Sequence, residues 1–303
     1  MDIKSKIILI SGPTASGKTE FAIKLAKKIK GEIINADSMQ VYNQFRILTA
    51  RPGKKDEKKI NHYLYGFQNV KKKFSTGSWL KEALKKIKYI QKKNKIPILV
   101  GGTGLYFKAL TDGLVKIPNI PLNFRIKIRN LQKRIGQKKF YKKLISLDKY
   151  VKNKIDPNDV QRSVRAYEIK KYTKKSLIEW FNKTKPIFDN SIFIKYYIDY
   201  PRDKLLHKIN SRVEEMFKLG AIKEVKKFNK LKVKKENSAS KVIGIREINE
   251  MIDGKSSLEE TKEKIAIKTR QYAKRQTTWA RGHMKSWHSI ELKSINSVLK
   301  KFK

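Results

Sequence analysis

No cysteine occurs among the 303 residues. That excludes a disulfide framework, a Cys-ligated zinc site, an iron–sulfur cluster and a thiol nucleophile. Histidine is nearly as scarce, and His62, His207, His283 and His288 fall at no metal-ligand spacing. Long apolar runs are missing too. The longest, such as Ile7–Ile10 and Ile96–Val100, are far shorter than the roughly 20 residues that cross a bilayer. Residues 1–6 lead straight into the first of these runs, without the longer apolar stretch or small-residue cleavage site of a signal peptide. The expectation is a soluble cytoplasmic protein with no membrane association.

Negative charge is the other shortage. Asp and Glu number 27 against 73 Lys and Arg, a formal net charge of +46. Apolar residues make up 39% and aromatics 10%, so the chain can still bury a core, as one large domain or two smaller ones. The excess invites a nucleic-acid reading, because cationic side chains neutralise phosphates and release counterions. A second reading stands beside it. Only 13 of the basic residues are Arg, and abundant Lys with many Ile and Asn is also what an AT-rich genome yields. Residues 115–200 carry 22 basic and 7 acidic side chains, barely more than their share. The total therefore decides little, and the arginines, whose planar forks match phosphate, are the more informative subset.

What is present is ordered like a wound α/β domain. Lys6–Ser11 is an apolar run ending at glycine and reads as a buried strand. Lys18–Lys30 places Phe21, Leu25 and Ile29 on one helical face. Glu32–Asn35 reads as a strand, Trp79–Lys93 as an amphipathic helix and Ile96–Val100 as a third strand. Alternation of this kind predicts a parallel sheet with helices on its faces. The pattern changes near Leu114, and Pro118 and Pro121 punctuate the change. From Leu122 to Lys185 the periodicity is helical and very basic. Ile192–Ile198 returns to strand character, and Pro201 opens a helical C-terminal region. The expected organisation is an α/β core of residues 1–117 and 190–303, interrupted by a helical insertion at 118–189.

Five segments carry candidate chemistry. Gly12, Pro13, Thr14, Ala15, Ser16, Gly17, Lys18 and Thr19 fit G-x-x-x-x-G-K-[ST], with a strand before and a helix after. Such a loop turns backbone N–H groups and a helix N-terminus onto phosphate. Lys18 would neutralise a terminal phosphate and Thr19 would ligate Mg²⁺. Asp37, with Ser38, Met39 and Gln40, follows the second strand, where ligands bind in such sheets. It could accept a proton or hold Mg²⁺ through water, or simply cap a helix. Gly101-Gly102-Thr103-Gly104 follows the third strand; its glycines permit close approach of a ligand, and Thr103 offers a hydroxyl. In the insertion, Arg162 and Arg165 share a helix face suited to an anion, or to pairing with Asp159 and Glu168. Residues 269–279, with Arg270, Gln271, Lys274, Arg275 and Trp279, suit a nucleic-acid backbone or a solvated basic helix.

Taken together and in order, GPTASGKT, DSMQVY, TARP (Thr49–Pro52), GGTGLY, DPNDVQRSVRAYE, IGIRE (Ile243–Glu247) and TRQYAKRQTTW resemble the tRNA dimethylallyltransferases, over about residues 6–282. The resemblance implies a P-loop NTPase-like α/β core with a parallel sheet and a helical insertion domain contacting tRNA. It implies transfer of a dimethylallyl group from dimethylallyl diphosphate to N6 of the adenosine 3′ to the anticodon. Thr14–Thr19 would bind the diphosphate with Mg²⁺ on Thr19, and Asp37 would be the general base beside Thr103. Asp37–Gln40, Thr103, Arg125 and the run Gln161, Arg162, Ser163, Val164 and Arg165 would contact the anticodon stem-loop, with Ile243–Arg246 a further contact. A monomer is expected. Arg51 stands where the family usually has Lys, and Ile245 where it usually has Tyr. Lack of cysteine matches the bacterial type rather than eukaryotic relatives with a zinc finger. A P-loop small-molecule kinase is the alternative, since its lid also uses paired arginines.

Overall fold

Every residue of the strand Ile7–Ser11 (β1) is buried, which fits a continuous apolar run covered on both faces. The computed structural model describes Ile3 and residues 5–302; Met1, Asp2 and Lys4, on which the expectation of no signal peptide partly rests, and Lys303 lie outside the described residues. The chain divides into two compact units, residues 1–111 with 188–303, and residues 112–187.

In the first unit β1 leads into α1 (Lys18–Lys28), β2 (Gly31–Asn35), α2 (Lys54–Lys59), β3 (His62–Tyr63), α3 (Thr76–Lys92), β4 (Ile96–Gly101) and α4 (Gly104–Thr111). The second unit holds α5 (Leu122–Leu147), α6 (Val160–Thr173) and α7 (Leu177–Asn182). The first unit then resumes with β5 (Phe193–Asp199), α8 (Arg202–Lys218), α9 (Ala221–Asn229), α10 (Ile245–Ile252), α11 (Leu258–His283), β6 (His288–Glu291) and α12 (Ile295–Lys300). The six strands form one sheet in the order β3-β2-β4-β1-β5-β6, all pairs parallel. The wound parallel sheet expected from the sequence is therefore present, with β1 between β4 and β5.

Local chemistry accounts for the elements. Ser75 caps α3 by accepting the Ser78 N–H at 3.1 Å, so the helix starts three residues before its first buried residue, Trp79. Trp79, Leu80, Ala83, Ile87 and Ile90 form its buried face. The short edge strands β3 and β6 escaped the sequence reading because neither contains an apolar run. One core layer packs α1 and α12 on the sheet through Phe21, Leu25, Ile98 and Phe302. Another gathers residues 41–48 with α8 to α11 around Phe45, Ile209, Val225 and Ile248. Each such fully buried side chain contributes roughly 1.5–3 kcal/mol.

The second unit has its own core of Phe140, Leu144, Val151, Tyr167 and Ile169. Gly136 breaks α5 with φ 75° and ψ 163°, a backbone closed to other residues without strain.

Candidate active site

Three loops meet at the C-terminal edge of the sheet. The first runs from β1 to α1. Gly17, at φ 80°, turns the chain into the helix, and Ala15 also has positive φ at 64°. A Cβ on Gly12 would lie 2.9 Å from Ser16 Oγ and 3.2 Å from Ile198 Cβ, so a side chain there would crowd both neighbours. Ser16 Oγ is buried and has no hydrogen-bond partner within the protein. An orphaned hydroxyl inside a loop of this type is an unmet demand that a bound oxyanion or its hydration can meet. Lys18 Nζ donates to the Pro13 carbonyl at 3.1 Å, which holds the ammonium across the loop.

The second loop carries Asp37, and its position follows from a buried amide. Asn35 is fully buried; its side chain donates to the Asp37 and Leu64 carbonyls at 2.9 and 3.0 Å and accepts the Asp37 N–H at 2.9 Å. The Asn35 carbonyl in turn accepts from Trp79 Nε1 at 2.8 Å, and Trp79 stacks on Tyr106 with ring centroids 4.2 Å apart. Asp37 Oδ1 accepts the Met39 N–H at 2.9 Å. This is a local turn and no helix follows it, so the helix-cap alternative for Asp37 does not hold, and its carboxylate lines the cavity described below.

The third loop contributes Thr103. Its Oγ1 accepts the Ser38 N–H at 2.9 Å and donates to Ser38 Oγ at 3.2 Å, tying the second loop to the third. The glycines around it make room for protein rather than for ligand, which corrects the sequence reading. Added Cβ atoms would fall 2.0 Å from the Ala36 carbonyl at Gly101, 2.0 Å from Gln276 Nε2 at Gly102 and 2.1 Å from the Trp279 ring at Gly104.

Two residues absent from the sequence-based site complete it. Gln276, on α11, accepts the Thr14 N–H at 2.8 Å and donates to the Gly102 carbonyl at 3.1 Å, so one amide joins the first loop to the third. Arg212, on α8, donates to the Thr14 hydroxyl at 2.9 Å. A signal for Arg212 existed: it falls among Ile209, Val213 and Met216 on the buried face of its helix, where an arginine needs a partner. Gln276 had none beyond its place in a basic helix. Tyr272 faces Thr103 and Gln276, and burial followed by the Asp37 charge pushes its phenol up.

Thr14, Lys18, Asp37, Arg212 and Tyr272 line one cavity of about 340 Å³, and Thr103 and Gln276 brace its loops from outside that lining. Thr14, Lys18, Thr19, Asp37, Arg212 and Arg275 supply its polar wall; Leu48, Ile209, Val213, Met216, Val242 and Ile265 supply an apolar one. Burial lowers the Lys18 ammonium to about 8; Asp37 opposes that shift and Arg212 adds to it. Burial also lowers Arg212, against the attraction of Asp37. With Lys18, Arg212, Lys241 and Arg275 against the one carboxylate of Asp37, the cavity lining is short of negative charge. Among the described residues no three His, Asp or Glu side chains form a metal cluster. Thr19 and Asp37 therefore suit a cation that takes its other ligands from a phosphate ester and water.

The profile of one protein family, described as IPP transferase, matches residues 40–283. The chain belongs to the IPP transferase family. A tRNA dimethylallyltransferase of Pelagibacter ubique is 60% identical over 303 residues, covering all of this chain and 97% of that one. One from Allorhizobium ampelinum is 39% identical over 293 residues, with 96% of each chain covered. Among solved structures, a tRNA isopentenylpyrophosphate transferase of Staphylococcus epidermidis matches with TM-score 0.68 and 34% identity, covering 97% of this chain and 96% of that one. A eukaryotic dimethylallyltransferase acting on tRNA matches with TM-score 0.82 and 29% identity, over 94% of this chain and 73% of that one.

Other IPP transferase motif residues fall in varied places. Gln40 Nε2 donates to the Thr49 carbonyl at 2.9 Å, bracing the TARP segment, and Met39 lines the cavity. In the second unit Gln161 and Arg162 are exposed, whereas Ser163 and Val164 are buried in its core. Arg162 Nε lies 3.5 Å from Asp159, and both Arg165 and Arg125 pair with Glu168. Ile243 lines the cavity, Ile245 is buried and Arg246 pairs with Glu250 at 2.8 Å. Arg270 pairs with Glu263, while Arg275 lines the cavity. No helix among the described residues is long and apolar enough to cross a membrane.

Proposed function

We propose that the protein is a tRNA dimethylallyltransferase that moves a dimethylallyl group from dimethylallyl diphosphate to N6 of the adenosine 3′ to the anticodon. One observation carries the reading: a single cavity joins a phosphate-type loop and the cations Lys18, Arg212, Lys241 and Arg275 to a compact apolar wall. That is the polarity of a short branched prenyl diphosphate. The names of the relatives favour it over a small-molecule kinase.

The chemistry follows from the side chains. The allylic C–O bond breaks and its electron pair leaves on the diphosphate, while the N6 amine forms the new C–N bond and loses a proton. Lys18, Arg212 and the amides of Gly17, Lys18 and Thr19 at the start of α1 stabilise the charge that grows on the diphosphate. Removing one such donor costs about 10²–10³ in turnover. Mg²⁺, held by Thr19, would supply further charge neutralisation at the diphosphate. Asp37 takes the amine proton, and with Oδ1 occupied by the Met39 N–H, Oδ2 is the accepting atom. Thr103 keeps the Asp37–Gln40 turn in register through Ser38. The adenine must leave its stack to reach this crevice. Ser38, Gln161, Arg162, Arg165 and Arg125 supply contacts to the anticodon stem-loop, by phosphate and shape rather than base edges.

The test combines purified protein, dimethylallyl diphosphate, Mg²⁺ and unmodified tRNA, with nucleoside mass spectrometry as readout. Isopentenylated adenosine is expected. Its absence, with ATP-dependent phosphorylation of a small metabolite instead, would overturn the proposal in favour of the kinase.

A further inference from the structure

Glu168 is a carboxylate only 1% exposed, placed between α5 and α6 and surrounded by three guanidiniums. Arg125 Nε lies 3.2 Å from Oε2, Arg165 Nη1 3.3 Å from Oε2, and Arg129 Nε 3.5 Å from Oε1. Oε1 accepts no hydrogen bond of normal geometry, so Arg129 is the loosest of the three. Arg125 and Arg129 are four residues apart on α5, on one helix face, and Arg165 reaches in from α6. The side chains of the three arginines are 35–52% exposed. Each uses one nitrogen on Glu168 and keeps its other donors.

A buried carboxylate needs one good cationic partner, or two. Three arginines over-neutralise it and leave the quartet with a surplus of two positive charges, at the cost of mutual repulsion. Such an arrangement makes sense when an anion completes it. The fixed planar forks then present preset donors to phosphate oxygens, without the loss of freedom that three independent long side chains would suffer.

We infer that Glu168 is a positioning residue that assembles Arg125, Arg129 and Arg165 into a clamp for RNA phosphates, with Arg129 a contact residue of the clamp. The inference rests on the tRNA reading above and adds to it the group that organises the contacts. It gives Glu168 a sign opposite to that of plain electrostatics. If Glu168 were only a negative charge near RNA, neutralising it would tighten binding. As the organiser of the clamp, its neutralisation weakens binding.

The experiment uses the full chain and an unmodified tRNA, with Kd measured across a salt series and KM and kcat measured with dimethylallyl diphosphate. Glu168→Gln keeps the shape and removes the charge. The expected result is a Kd raised about 10-fold, a KM for tRNA raised in parallel, a much smaller change in kcat, and partial recovery in Glu168→Asp. Because Glu168 is buried, circular dichroism melting accompanies each variant. Arg129→Ala and Arg129→Lys, on an exposed side chain, answer the question even if Glu168→Gln misfolds. Arg129→Ala should weaken binding and lower the slope of log K against log salt by about one, the value for one lost phosphate contact. Arg129→Lys should keep the slope and lose affinity, since it keeps the charge and loses the fork. Unchanged or tighter tRNA binding in a folded Glu168→Gln, or wild-type affinity and slope in Arg129→Ala, overturns the inference alone. A wild-type chain that binds no tRNA overturns the tRNA reading with it.

Discussion

The crevice of the first unit and the arginine quartet of the second handle charge in opposite ways. In the crevice, Lys18 and Arg212 are sheltered and individually tethered: Lys18 to the Pro13 carbonyl, Arg212 to the Thr14 hydroxyl. Their forms are electrostatically uncomfortable, with Lys18 lowered to about 8. In the quartet the three cations are partly exposed and share one partner, and it is the lone anion, Glu168, that is buried. Sheltered, strained charge suits a site that must distinguish a leaving group from its ester, because electrostatic contacts strengthen as water is excluded. Exposed charge on a fixed frame suits repeated, reversible contact with a polyanion. Substitutions in the crevice should therefore act on turnover and those in the helical unit on affinity.

The sharpest way to break that division is Asp37→Ala. It should lower kcat by about 10²–10⁴-fold, the usual worth of a positioned base, while tRNA Kd stays within a factor of about two. A large Kd change would make Asp37 a binding residue. Next, Arg212→Ala should lower kcat/KM for dimethylallyl diphosphate by about 10²–10³-fold without altering the salt slope of tRNA binding. A changed slope would show that the buried arginine meets RNA. Gln276→Leu should have a smaller effect, about 10-fold on the KM for the diphosphate substrate, because it frees the first loop from the third and leaves every charge in place. An effect on kcat alone would show instead that the amide touches the reacting atoms.

Proton linkage gives the mildest test. In the folded protein Lys18 loses its proton near 8, whereas in the unfolded chain it does so near 10.5. Below about 8 both states hold the proton and the burial penalty is fully present. Between about 8 and 10.5 the unfolded chain binds more protons, so this group makes the folded state more stable as pH rises. Affinity for the diphosphate should fall over the same range as the ammonium is lost. Lys18→Met should remove both trends, measured by melting temperature and by KM against pH.

Much of the first unit was legible because its central strands are continuous apolar runs and its loops carry recognisable spacing. Ile7–Ser11 and Ile96–Gly101 needed no tertiary knowledge. What the sequence concealed were contacts across long separations. Nothing near Gln276 reveals that its amide meets Thr14, 262 residues away, and nothing near Glu168 reveals Arg125 and Arg129 on another helix. The glycines of the third loop were legible as close approaches, but not whose approach, because the neighbours Gln276 and Trp279 lie on α11. Edge strands such as His62–Tyr63 were hidden for a different reason: two half-buried residues leave no periodicity to read.

The Gln276 bridge also has a temporal meaning. Synthesis produces the phosphate loop among the first residues, yet the amide that fastens its Thr14 lies in the last long helix. β1, which carries the loop, takes one of its two neighbours from β5, after the helical unit has been made. A chain still on the ribosome thus has the letters of a nucleotide-type loop without its setting. The contact that fastens Thr14 can form only once α11 has been made.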